Sequence, residues 1–173
     1  MNPASWGLML MLFPAAVWAE SNSVGVWLDV PFVRQEKNGC GAASIAMLMR
    51  YWGREETDAQ QIYADLYSKD QRGIRGSDVE QFLQAHGFRT FVFPGEWQDF
   101  KHHLVKGRPL IVCLKKGTSL HFVVVVGVDS ARGLLFINDP ARRKLLRVER
   151  AEFESDWIAV NRWTLLAVPW QIR

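Results

Sequence analysis

The hydrophobic period of this chain changes near its middle, and that change limits the fold more than any single motif does. In the front half, apolar residues recur at helical spacing. After Asn38 and Gly39, the stripe Ala42, Ile45, Ala46, Met49 and Trp52 runs until Gly53 stops it. Thr57 with Gln60 and Ser77 with Glu80 read as capping boxes that open two more helices. The first carries Ile62 and Leu66, and the second carries Val79, Phe82 and Leu83 and closes at Gly87. A shorter helical stretch over 97–106 ends at Gly107. The back half reads differently. Residues 109–114, 120–128, 133–139, 144–148 and 163–168 are short β-branched or aromatic runs bounded by Gly, Asp, Ser and Pro. Helices gathered first and strands second predict an α+β domain, with an N-terminal helical layer on one face of a meandering C-terminal antiparallel sheet.

No repeat or low-complexity linker divides the 173 residues, so one domain is expected. A net charge of +3, from 21 basic and 18 acidic residues, is too mild to indicate a nucleic-acid or anionic-membrane partner. The two cysteines, Cys40 and Cys113, form no CxxC pair, and the chain contains no HExxH, so neither a metal site nor a cofactor is expected. Residues 6–19, WGLMLMLFPAAVWA, are uncharged and too short to span a bilayer as a dedicated helix, which takes about 20 residues. Val17 and Ala19 suit a signal-peptidase site, and the chain turns polar at once afterwards. The expectation is a signal peptide at 1–19 and a single domain at 20–173, located in the periplasm or outside the cell without stable membrane insertion. A retained anchor or a buried N-terminal helix are the competing readings of the same run.

Cys40 falls in the first turn of the first helix. There the unpaired N–H groups and the helix dipole favour a thiolate, and Gly39 and Gly41 leave room for a substrate to approach. The competing reading is a buried structural cysteine. A thiol nucleophile needs a base and a group to orient that base. His86 sits in a helix C-terminal turn and His102 and His103 sit in a polar stretch, which leaves His121, at the mouth of the apolar strand HFVVVVGV. A hairpin centred near 130–131 would set residue 139 or 140 opposite His121, and Asp139 is there. Asn138 is the rival orienter, but alternation sends it to the other face. Gln35, five residues before Cys40, could aim an amide N–H at a developing oxyanion beside the Cys40 backbone N–H.

Taken together, VPFVRQEKNGCGAASIAMLMRYWG, the strand HFVVVVGV and the segment INDPA resemble the bacteriocin-processing peptidases, papain-like cysteine peptidases that cleave double-glycine leaders. The match covers about residues 29–148. The resemblance implies a papain-like fold, with Cys40 as nucleophile, His121 as general base and acid, Asp139 as orienter and Gln35 as oxyanion donor. It also implies a peptide or protein substrate, and a standalone exported member would find that substrate among secreted or cell-envelope polypeptides. Three alternatives stay open at this level. One is a catalytically silent peptide-binding domain, the second an amidase or acyltransferase using the same nucleophile, and the third a structural Cys40–Cys113 disulfide. The basic run Arg142-Arg143-Lys144 reads as a solvated strand end, with steering of an acidic substrate as its alternative.

Overall fold

A computed structural model describes residues 25–170, and the expected signal peptide at 1–19 lies outside the described residues. In chain order the elements are β1 (Val26–Trp27), α1 (Cys40–Tyr51), α2 (Ala59–Leu66), α3 (Gly76–Ala85), β2 (Phe88–Pro94), α4 (Trp97–Leu104), β3 (Leu110–Lys116), β4 (Ser119–Asp129), β5 (Leu134–Asp139), β6 (Arg143–Glu149), α5 (Arg150–Ile158) and β7 (Trp163–Pro169). All strand pairs are antiparallel, in the order β2-β7-β3-β4-β5-β6, with β1 joined to the end of β4.

The α+β fold with an antiparallel sheet forms as the sequence predicts, and two of its features go further. β7 inserts between β2 and β3, so the sheet is not a simple meander. Helices also cover both of its faces. The reason lies in β4, where every residue from Phe122 to Asp129 is buried. A strand that is apolar on both sides must be covered on both sides. Phe122, Val124 and Val126 share a core with α1, Ile62 of α2, and Val79 and Leu83 of α3. Val123 and Val125 share another with Phe100 and Leu104 of α4 and Phe153 and Trp157 of α5.

α5, β2 and β1 have weak local signals in the sequence. α5 buries only Phe153 and Trp157 along an otherwise charged helix. β2 is an edge strand whose one buried residue is Phe88, so its side chains show no period of two. β1 is two residues long and exists because β4 runs on past the end of β3. Gly127 is required there, since a Cβ on it would stand 2.8 Å from the Trp27 Cβ and 3.0 Å from the Val26 carbonyl oxygen. The caps also differ from prediction. α2 is capped by Asp58, whose Oδ1 accepts from the Gln60 N–H at 2.8 Å, while the Thr57 hydroxyl donates to Arg54 O. α3 begins ahead of Ser77 without a side-chain cap. In α4, Asp99 Oδ2 accepts from the Glu96 N–H at 2.7 Å, a reciprocal cap that the polar sequence there concealed.

Candidate active site

An arm without regular structure, 28–36, leads into the site. It ends in a turn where the Gly39 N–H donates to Glu36 O at 3.0 Å, and Asn38 takes φ 60°, a conformation asparagine tolerates better than most residues. α1 starts at Cys40. Its first half is built of small residues, and Gly41, Ala42, Ala43 and Ser44 are all buried, so the helix head sits close against its neighbours. The Cys40 side chain is 9% exposed and its thiol is free.

His121 stands where β4 leaves the covered core. Ser119 and Leu120 before it are exposed, and Phe122 after it is buried. Its Nε2–H donates to Asp139 Oδ1 at 2.8 Å, with the two side chains 14% and 6% exposed. The expected partner is therefore in contact, although the register differs from the prediction. β4 and β5 are joined by the four-residue turn 130–133, and Val124 pairs with Asn138. Continuing that register sets Asp139 across from Val123, so it reaches His121 diagonally along the same face. The Ala141 N–H also donates to Asp139 Oδ1, at 2.9 Å.

Burial opposes charge on His121, but its hydrogen bond to Asp139 and the Cys40 side chain beside the ring outweigh it and raise its pKa to about 9. Burial likewise works to raise the Asp139 pKa. The hydrogen bond and charge of His121, the Ala141 N–H and the Arg142 cation override that and hold it below the usual carboxylate value. With Nε2 engaged by Asp139, Nδ1 is the ring nitrogen left to exchange a proton with Cys40.

Gln35 is half-buried, and its Oε1 is buried without a protein partner. Its backbone N–H donates to Pro140 O at 3.0 Å, which ties it to the residue after Asp139. On the Gln35 side of Cys40 a cavity of about 220 Å³ lies between the arm, α1 and α2. It is lined by Val33, Gln35, Gly39, Ala42, Ala43 and Tyr63 among others, and by none of Cys40, His121 and Asp139.

The remaining candidates fall elsewhere. Asn138 points away from His121, as alternation predicts. Its Nδ2–H donates to Val30 O at 3.1 Å and its Oδ1 accepts the Leu145 N–H at 3.0 Å. His86 ends α3, with Nδ1 2.7 Å from Phe82 O and its ring stacked on Phe82. His103 is half-buried rather than solvated, and burial and the neighbouring His102 lower its pKa. Cys113 is a second free, buried thiol in the same core as Cys40, so the two form no disulfide in this structure. Burial, and the repulsion of a Cys40 thiolate, push the Cys113 pKa up to about 11. Lys144 of the basic run pairs with Asp29 at 2.6 Å, while Arg142 and Arg143 are exposed. Among the described residues no helix is long and apolar enough to cross a membrane.

Helices packed on a seven-stranded antiparallel sheet, with a cysteine heading the central helix, make the fold that of the papain-like C39 peptidases. Solved structures share it, and three of them are as follows. A C39-like peptidase from Bacillus anthracis superposes with a TM-score of 0.70 at 17% identity, covering 87% of this chain and 100% of that one. The peptidase domain of Streptococcus ComA, a bifunctional ABC transporter, gives 0.67 at 22% identity, covering 80% and 97%. A double glycine motif protease from the AMS/PCAT transporter, solved in complex with the leader peptide, gives 0.68 at 24% identity, covering 83% and 94%.

The chain belongs to the Peptidase_C39 like family, whose model matches residues 27–164. Among curated proteins, it is 29% identical over 131 residues to the lactococcin-G-processing and transport ATP-binding protein LagD of Lactococcus lactis subsp. lactis. That match covers 73% of this chain and 17% of the relative's length.

Proposed function

We propose that the protein is a cysteine peptidase in which Cys40, His121 and Asp139 form the catalytic triad and Gln35 supplies an oxyanion donor. The observation that carries this reading is the buried 2.8 Å His121–Asp139 pair, whose imidazole also meets the side chain of a cysteine at a helix head. The Cys40 sulfur attacks the scissile carbonyl carbon, and the oxygen takes up negative charge facing the Cys40 N–H and the Gln35 amide. His121 then gives its Nδ1 proton to the leaving amine, whose bond to carbon breaks to leave a thioester. Water, deprotonated by the same nitrogen, attacks the thioester and releases the acid and the thiolate. Asp139 holds the ring tautomer and stabilises the imidazolium throughout. The Gln35 backbone N–H, which donates to Pro140 O one residue past Asp139, supports its part by holding the residue beside the pair.

The substrate is a polypeptide cleaved after a double-glycine type sequence. Family membership and the leader-peptide complex of a neighbour support this. The apolar run at 6–19 supports export, which places the substrate among secreted or cell-envelope polypeptides.

The test is labelling with iodoacetamide across pH 4 to 9 under mild reductant, with the adduct located by mass spectrometry. Rapid labelling of Cys40 that is lost in His121→Ala supports an activated thiolate. Slow labelling that ignores His121 would sink the proposal.

A further inference from the structure

The arm that carries Gln35 has no regular structure, yet it is fastened to one short stretch of chain. The Asn138 Nδ2–H donates to Val30 O at 3.1 Å, the Gln35 N–H to Pro140 O at 3.0 Å, and an Arg34 Nη2–H to Arg142 O at 3.1 Å. Lys144 Nζ adds a bond to Asp29 Oδ1 at 2.6 Å. All four partners fall within 138–144, the stretch that contains Asp139. Arm and stretch are far apart in sequence, with 108 positions separating both Val30 from Asn138 and Arg34 from Arg142.

Asn138 is the buried polar side chain of this set, with 0% exposure. Both ends of its amide are used, one on the arm and one on the Leu145 N–H of β6. Leu145 itself has φ 52°, a left-handed conformation that a leucine avoids unless its surroundings impose it. The pairing of β5 with β6 is also irregular there, between Ile137 and Asp139. The chain thus keeps a backbone distortion where a side-chain amide reaches across to the arm.

We infer that Asn138 is a positioning residue. By holding Val30 it keeps the Gln35 arm in one frame with the His121–Asp139 pair, and Arg34 is the second, exposed fastening of the same arm. The reasoning rests on the proposed oxyanion role of Gln35. A five-residue tether from Gln35 to Cys40 limits how far the amide can stray along the chain but leaves it free to swing sideways. Contacts with 138–142 remove that freedom, and a donor misplaced by about 1 Å can cost about a hundredfold in rate.

The test uses the full chain and two readouts. One is kcat on a fluorogenic peptide amide ending in Gly-Gly. The other is alkylation of Cys40 by iodoacetamide, which needs the thiolate but no oxyanion donor. Asn138→Ala is expected to lower kcat about tenfold or more and to leave alkylation within about twofold. In a Gln35→Ala background it should cause no further loss, because it acts through that residue. Should Asn138→Ala fail to fold, Arg34→Ala decides instead, with an expected loss of about threefold and the same lack of additivity. An unchanged kcat, an equal fall in both readouts, or multiplicative losses in the double variant would each overturn the inference. If Gln35→Ala alone keeps full kcat, the oxyanion role fails first and the positioning role falls with it.

Discussion

The two faces of the sheet are built from different materials. On the face that carries Cys40, the α1 head is Gly41, Ala42, Ala43 and Ser44, residues that bring backbone close to backbone. On the opposite face Phe100, Phe153 and Trp157 pack edge-on or tilted with ring centroids 5.0 to 5.6 Å apart, with Trp97 edge-on to Phe100 and Phe153. Large rings bury the most area per residue and so favour stability. Small residues give up that area, and here they let a helix terminus meet the edge of the sheet. The helix that starts at Cys40 and the large aromatic cluster therefore pack on separate faces, and their contributions should be separable by substitution.

The largest expected effect is Cys40→Ala, which should lower kcat/KM by about 10⁴-fold or more and leave the thermal midpoint nearly unchanged. Peptide hydrolysis and a melting curve check both parts, and a large drop in the midpoint would make Cys40 structural. Next is Trp157→Ala on the opposite face. It should cost about 3–5 kcal/mol in a denaturant titration, while the rate of Cys40 alkylation in the folded fraction stays near wild type. Lost alkylation in folded protein would mean the faces are coupled.

Asp139→Asn is smaller again. It should lower kcat by about a hundredfold with the fold intact, because an amide neither fixes the tautomer nor stabilises the imidazolium. Full activity would remove Asp139 from the triad.

The mildest perturbation is pH. His121, raised to about 9, keeps its proton up to that value. Peptide hydrolysis should therefore fall as pH rises through about 9, since the leaving amine loses its proton donor, while alkylation by the thiolate persists. Stability should follow the same pair. The contribution of His121 is full below its ordinary value of about 6.5 and is lost as pH rises through about 9. The contribution of Asp139 is present above the ordinary carboxylate value and is lost as pH falls through its own lowered one. In Asp139→Asn the high-pH limb should move down, and an unmoved limb would contradict the assigned cause.

Much of the geometry of the candidate site is legible in the sequence because its signals are local. A cysteine between glycines ahead of an apolar stripe marks a helix head, and a histidine opening HFVVVVGV marks a strand mouth. Alternation put Asp139 on the His121 face and Asn138 on the other, and both residues are there. The direct opposition of His121 and Asp139 does not hold, because the 130–133 turn and the register shift between Val125 and Gly127 together set the pairing, and a hairpin read from its turn alone includes no such shift. In the sequence Asn138 reads only as a rival orienter. Its work on the arm has no local signal, since both of its partners are backbone groups that any residue would offer.

Period alone decided which segments are helix or strand across most of the chain and which side chains share a face. Those properties repeat every 3.6 or 2 residues and need no knowledge of neighbours. Only the tertiary structure decided that β7 lies between β2 and β3, that helices cover both faces, and that the Gln35 arm is bound to the stretch after Asn138. Each of these depends on where the chain returns, which is set by burial of both sides of β4 and by hydrogen bonds across 108 positions of sequence.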